Sequence, residues 1–454
     1  MGPDYHRPPL DVPAQYRGAP PIVYTNSMGE LPWWQIFKDD TLADLIRTGL
    51  TNNYDLRIAI TRVEQANAIV AENRAAYFPQ LNYSGTVSRG KNALGGTVFP
   101  NNGQITDLFS ISGNASWELD LWGRIRRLNE SARAQYLASQ EARRDVTVTV
   151  ISQVAQAYFR LLALDQLLDI AHRSTNSFGE SLRIFSQRLA QGTVSTLETS
   201  AAEALLESAA ATVPDLERQI EVQENLVNVL LGRNPGPTPR ARSLTQQDLT
   251  LAIPPGLPSE LLTRRPDIRE AEESLRSANA QVGVAVANFF PQLSLTGLFG
   301  QVSPETSAFT SGAANAWSLG ASLAGPLFQG GRLRGQYRQA VSVREQAALS
   351  YKSTVLGALE EVSNDLIAVQ KYGQQGVRQA RAVRAYELAF QVSLQRYVAG
   401  HASYYEVLQQ QQQLFPAENA LVQAQLNQFL SFIELYQALG GGFGETTKGG
   451  RGGY

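Results

Sequence analysis

Ala76-Tyr77-Phe78-Pro79-Gln80-Leu81 returns 212 positions later as Asn288-Phe289-Phe290-Pro291-Gln292-Leu293. The flanks repeat with it. Tyr54-Asp55-Leu56-Arg57 matches Pro266-Asp267-Ile268-Arg269 at the same offset, and Arg188 to Gly192 matches Arg396 to Gly400 at an offset of 208. Each half reads as a long polar helix, short alternating strands, a much longer helix, a turn and a further helix. A unit of about 200 residues lies far above solenoid periods, so the pattern is a duplicated architecture rather than an array of small repeats.

Beyond each Phe-Pro-Gln-Leu the hydrophobic period becomes two. Leu81, Tyr83 and Val87 alternate with Asn82, Ser84 and Thr86; Phe109, Ile111, Ala115, Trp117, Leu119 and Leu121 alternate with Ser110, Ser112, Asn114, Ser116, Glu118 and Asp120. Leu293, Leu295 and Phe299, then Trp317, Leu319, Ala321 and Leu323, repeat the pattern in the second half. The Phe109–Leu121 run spans roughly 40 Å at strand rise, long for a soluble sheet. Four such strands form two hairpins that cannot close alone, and an open edge cannot sit in lipid. Other chains must therefore complete the sheet. The competing reading is a water-facing sheet packed on the helices, but no other segment offers a core able to bury the Phe109–Leu121 face.

The helices that follow lack internal proline over 123–191 and 331–399, and each spans roughly 100 Å at 1.5 Å per residue. In the last helix Leu408, Gln412, Phe415, Asn419, Val422, Leu426, Phe429, Ile433 and Tyr436 recur at coiled-coil spacing with two polar slots; Leu197, Ala201, Ala204, Ser208 and Ala211 repeat the spacing in the first half. Pro214 and Pro416 are expected to kink or interrupt these helices. The chain thus divides into an extended, proline-rich arm (1–37), a first repeat (38–236), an inter-repeat linker (237–256), a second repeat (257–439) and a glycine-rich flexible tail (440–454). The first repeat holds a hairpin over 81–121 and helices over 123–191 and 194–231. The second holds a hairpin over 292–325 and helices over 331–399 and 402–439.

The composition excludes several classes. A net charge of −2 gives no footprint for nucleic acid. Zero cysteine removes thiol catalysis, disulfides and thiolate metal sites. Mean hydropathy of −0.21 and interrupted apolar runs argue against a transmembrane helix, though not against membrane strands. The opening Gly2-Pro3-Asp4-Tyr5 reads as the start of a mature protein rather than a signal peptide. His6, His172 and His401 lack metal-site spacing, and no nucleophile elbow, P-loop or dinucleotide fingerprint occurs, so the chain reads as no enzyme, with no catalytic or metal residues.

Two turns invite a function: Gly192-Thr193-Val194-Ser195 and Gly400-His401-Ala402-Ser403, each a glycine helix end followed by a serine N-cap. Glu198 and Glu406 follow in the first turn of the next helix, where the dipole favours an acid.

Leu261-Leu262-Thr263-Arg264-Arg265-Pro266-Asp267-Ile268-Arg269, the paired Phe-Pro-Gln-Leu, Trp117-Glu118-Leu119-Asp120-Leu121-Trp122-Gly123-Arg124 and Ala438-Leu439-Gly440-Gly441-Gly442 resemble the TolC/OprM-like outer membrane factors. Gly2-Pro3-Asp4-Tyr5 is similar to the start of that family's lipoprotein branch. The resemblance implies an α+β membrane protein, a homotrimer whose 12-stranded β-barrel (four strands from each chain) continues into a periplasmic α-helical barrel. It implies the exit duct of a tripartite RND-type efflux pump in outer membrane lipid, docked to a periplasmic adaptor and an inner-membrane transporter. It implies no cofactor beyond an N-terminal lipid anchor on the natural protein, absent from this sequence. By the same resemblance the two turns are adaptor-contact tips, and Tyr397, Glu198, Glu406, Leu408 and Gln409 form a periplasmic gate. Gln409 stands where the family often has a second acid, and His401 where threonine is common. Two other functions fit the pattern: the duct of a one-step protein secretion system, and a soluble coiled-coil scaffold.

Overall fold

The computed structural model describes residues 1–19, 27–91, 105–247, 255–307 and 314–441. The expected linker and arm lie partly outside these residues, and the expected glycine-rich tail almost wholly so.

In the first half, α1 (Trp33–Ile36), α2 (Asp40–Asn52) and α3 (Tyr54–Ala75) lead into β1 (Gln80–Lys91) and β2 (Ile105–Leu119). Then come α4 (Arg124–Ala190), α5 (Thr196–Ala210) and α6 (Thr212–Leu230). The second half has α7 (Pro258–Arg264), α8 (Pro266–Ala287), β3 (Gln292–Ser303), β4 (Asn315–Ala324), α9 (Arg332–Val398) and α10 (Tyr404–Ala438). Corresponding elements have equal lengths: 22 residues in α3 and α8, 12 in β1 and β3, 67 in α4 and α9. The same stop signals act in both halves. Pro79 and Pro291 push the preceding residue out of the helical region, and glycines close the long helices.

The strands form one antiparallel sheet in the order β1-β2-β3-β4, so the two hairpins are joined within the chain by β2 and β3. The register puts every predicted apolar position on one face, for example Tyr83 opposite Gly113 opposite Phe299 opposite Trp317. That face is bare, with Tyr83 92% and Leu319 82% exposed. The other face is polar and internally bonded: the Ser84 and Ser112 hydroxyls lie 3.0 Å apart, and Asn114 Nδ2 donates to Ser84 Oγ at 3.1 Å. β2 ends at Leu119, two residues earlier than the alternation suggested. Asp120 leaves the strand because its carboxylate accepts the Ile125 and Arg126 N–H groups (3.0 and 2.9 Å), capping α4.

The described chain divides into two compact units, each built from both halves: Met1–Pro9, Thr61–Gln140 and Glu270–Lys352 in one, the remainder in the other. The first holds the sheet and the N-terminal residues. The Met1 amino group donates to Trp122 O (3.0 Å), Asn279 Nδ2 to Pro3 O (2.9 Å), and Arg127 pairs with Asp4 (2.7 Å). The Arg7 guanidinium and the Tyr5 hydroxyl both meet the Glu272 carboxylate.

The second unit holds the helical core, with Leu42 and Ile46 of α2, Tyr158, Phe159, Leu161 and Leu162 of α4 and Phe432, Ile433, Leu435 and Tyr436 of α10 all buried, and Phe159 stacked on Phe429 at 4.8 Å. One α4 window is long and apolar enough to cross a membrane, but 67% of it is buried inside the chain, so it serves this core. Met28, Trp33, Ile36 and Phe37 are buried too, so the arm expected to stay extended to residue 37 turns helical from Met28.

Other expectations need revision. α5 and α6 break at Ala211, ahead of Pro214, but α10 runs through Pro416 without interruption. Pro416 lines an open groove of about 860 Å³, so the carbonyl it deprives of a partner can meet water. The polar slots Gln412 and Asn419 are exposed and line that groove instead of an inner seam, beside the buried Gln411. The small-residue seam of α5 is exposed, and Thr199 and Ala202 face the core.

Asp39 ties the helical core together. Its carboxylate accepts the Thr41 and Leu42 N–H groups, the Tyr158 hydroxyl (3.1 Å) and Gln247 Nε2 (2.7 Å) while almost fully buried. Asp39→Ala removes an N-cap and orphans a buried hydroxyl, at a cost of about 2–3 kcal/mol. The check is the denaturation midpoint of the purified protein; an unchanged midpoint contradicts this role.

Candidate functional site

Both tip turns have the same backbone. The chain leaves α4 through Gly192 (φ +69°) and α9 through Gly400 (φ +77°), a left-handed conformation that penalises a side chain. The Thr193 and His401 N–H groups return to Arg188 O (3.0 Å) and Arg396 O (2.9 Å), satisfying helix-end carbonyls. Ser195 and Ser403 then open α5 and α10.

The side chains differ. Glu198 folds onto Ser195: its carboxylate accepts the Ser195 hydroxyl and the Ser195 N–H (2.6 Å), which hold it below the usual carboxylate range. Glu406 instead leans towards Arg396 at 3.9 Å, both side chains about half exposed. The Thr193 hydroxyl donates to Arg188 O, whereas His401 is exposed and adds only its backbone.

Behind the tips, Phe185, Ala202, Tyr397, Tyr404, Val407 and Leu408 form a buried cluster. Tyr404 sits edge-on to both Phe185 (4.5 Å) and Tyr397 (4.7 Å), and the Arg188 guanidinium lies 4.5 Å from the Tyr397 ring centre. The Tyr404 hydroxyl donates to Ser181 Oγ, and Gln411 Nε2 donates to Ser177 Oγ (2.7 Å), making a buried polar chain from α10 to α4. The Tyr397 hydroxyl has no hydrogen-bond partner among the described residues.

Of the predicted gate residues, Tyr397 and Leu408 thus share the cluster, while Glu198, Glu406 and Gln409 stand outside it. Sequence reasoning missed Phe185, Ser181, Tyr404 and Gln411. Their signal was the imperfect repeat: at an offset of 208, Phe185 faces Ser393 and Tyr404 faces Thr196.

The Arg265-Pro266-Asp267 motif builds a second ionisable group. Arg265 donates to Asp267 (2.8 Å) and Ala438 O (3.2 Å) and meets the Glu361 carboxylate beside a cavity of about 380 Å³. Asp145, Asp365 and Glu434 line the same cavity. Burial, then the neighbouring Glu434 and Glu361, push the Asp365 carboxyl up to about 7, and burial also raises Asp145 and Glu434.

The outer membrane efflux protein model matches residues 45–233 and 257–441, one stretch in each half. The chain belongs to the outer membrane efflux protein family. It is similar to the probable efflux pump outer membrane protein TtgC of Pseudomonas putida, 33% identical over 450 residues that cover 98% of this chain and 93% of the relative. It also resembles the cation efflux system protein CusC of Escherichia coli K12, 31% identical over 445 residues, 97% of this chain and 96% of that one. Among solved structures, the outer-membrane channel OprN superposes with a TM-score of 0.90 at 31% identity, over 98% of this chain and all of that one. These likenesses place the protein in the bacterial outer membrane as an efflux channel.

Tyr404→Phe removes the Ser181 bond and costs about 1 kcal/mol, while Tyr397→Phe deletes an unpartnered hydroxyl and changes stability by less than about 0.5 kcal/mol. Hydrogen exchange in the α4 and α10 tips reads both, and the reverse order refutes the assignment. Asp365 is raised in the folded state, so its contribution to stability is full at acid pH and fades as pH rises from the ordinary carboxylate range toward 7. Asp365→Asn therefore raises the melting temperature at pH 8 more than at pH 5; equal shifts at both values refute it.

Proposed function

We propose that three copies assemble into the exit duct of a tripartite RND-type efflux pump. The duct conducts drugs or other small molecules passively from periplasm to exterior after docking to an adaptor and an inner-membrane transporter. The supporting observation is the sheet: a bare apolar face, a bonded polar face, and free outer edges on β1 and β4 among the described residues. Such a sheet suits lipid on one side and a water-filled lumen on the other once its edges are closed. Exposed Leu349 and Leu356 on α9, one heptad apart, call for helical neighbours in the same way. The substrate class follows relatives named for toluene, solvent, antibiotic and cation efflux.

In this assembly the turns Gly192 to Ser195 and Gly400 to Ser403 receive the adaptor, and exposed Leu197 and Tyr405 beside them give it apolar purchase. Glu406 and Gln409 from three chains form the gate ring, Glu198 flanks it, and Tyr397 and Leu408 anchor the helices that carry it. A negative ring favours cations. The natural protein also carries a lipid at its N-terminus, and the hydrogen bond from the Met1 amino group to Trp122 O sets the start of this sequence beside the end of β2, where such an anchor would lie.

The test is reconstitution of detergent-extracted outer-membrane protein in planar bilayers, with native mass spectrometry for assembly. Trimers that conduct, and lose cation preference in Glu406→Ala, support the proposal. A folded monomer that needs no detergent overturns it, and unchanged selectivity in Glu406→Ala removes the gate assignment.

A further inference from the structure

The polar face of the sheet carries almost no charge. On the face shared by Ser84, Ser112 and Asn114, the four strands place one ionisable residue, Glu118. The other charged strand residues, Arg89, Lys91 and Asp107, fall in step with Val87 and Phe109 on the opposite face. Glu118 stands in the last row of the sheet before the helices, opposite Ser294, which is in turn opposite Ser322.

That one carboxylate is matched. Arg124 Nε and Nη2 donate to its two oxygens at 2.9 and 2.6 Å, a forked, charge-assisted pair with side chains only 26% and 23% exposed. Arg124 is the first residue of α4, whose opening turn holds no acid. A cation there opposes the helix dipole, so the helix itself gives no reason for an arginine at this position. Asp120 is already committed, since its carboxylate accepts the Ile125 and Arg126 N–H groups and the Arg126 guanidinium (3.2 Å). Arg124 is therefore left to Glu118.

We propose that Arg124 sets the charge selectivity of the barrel by cancelling Glu118, so that the strand-lined lumen passes solutes of either sign. Three bare carboxylates at one level of the lumen would make a cation-preferring ring, and the pair removes it. The inference rests on the trimeric duct proposed above and names a specificity-determining residue within it, far along the chain from the tip acids.

The test is the reversal potential of reconstituted channels under a potassium chloride gradient, in a Glu406→Ala parent so that the tip acid does not contribute. Measurements are made near 10 mM salt, where screening reaches roughly 30 Å, and near 1 M, where it reaches roughly 3 Å. At low salt Arg124→Gln is expected to raise the potassium-to-chloride permeability ratio about twofold or more, and Glu118→Gln to shift it towards chloride. Glu118→Gln/Arg124→Gln returns to the parent value, and all differences shrink at high salt. Opposite shifts are the signature of charge, because a pair that only held the strand–helix junction would move both single variants the same way. Conducting channels with no shift in either single variant, or with shifts of one sign, overturn this inference and leave the duct standing. Should Arg124→Gln not assemble, Glu118→Gln decides alone: a chloride shift supports the inference and an unchanged potential overturns it. A wild type that neither trimerises nor conducts overturns the duct and the inference together.

Discussion

A β-sheet that faces hydrocarbon cannot leave an edge open, because each unpaired backbone N–H or C=O in lipid costs several kcal/mol. Everything else in this fold answers to that constraint. Four strands per chain with a mainly apolar outer face are too few to close, which is why we propose that each chain is continued by another. Within the chain, β2 and β3 join hairpins from different halves in continuous antiparallel register. In the proposed assembly, that intrachain pairing is the template for the interchain one.

The same economy explains the helices. Exposed apolar residues lie on the sheet, on α3 and along α9, yet the chain itself buries a compact set around Tyr158, Phe159 and Tyr436. Burial within the chain fixes one nucleus of order, anchored by Asp39 and by aromatic stacking. In the proposed assembly the rest of the apolar surface meets neighbours. Stability is then divided between folding and assembly, so the folded monomer and the proposed oligomer respond differently to the same substitution.

Strand faces, helix lengths and the doubled order of elements were legible because period and stop signals are local. The alternation from Phe109 to Leu119 and the Phe-Pro stops each depend on a few neighbouring residues. The helix seams were less legible. Gln412 and Asn419 fit a coiled-coil spacing, yet they line an open groove, because which stripe of a helix turns inward depends on distant partners rather than on its own period. At Pro416 the helix is continuous rather than interrupted for a similar reason: a proline on the open side of a helix leaves its orphaned carbonyl to water. At the tips, sequence marked the turns and the acids, but the Phe185–Tyr404–Ser181 cluster requires side chains from α4 and α10 that meet only in three dimensions.

The imperfections of the repeat carry the functional asymmetry. With both halves alike, the proposed trimer would have six equivalent hairpins at its tips, each as able to move as the next. Instead Glu198 is held by Ser195 on its own turn, whereas Glu406 stays half exposed near Arg396, and the aromatic cluster draws Tyr397 and Tyr404 from the second half. The first-half acid therefore caps a helix, and the second-half acid is held only by a long, half-exposed ion pair to Arg396. In the proposed trimer, a mouth of alternating fixed and loosely held acids has a threefold rather than a sixfold set of movable charges, so opening by displacement of α9 and α10 requires no rearrangement of the capped α4–α5 turn.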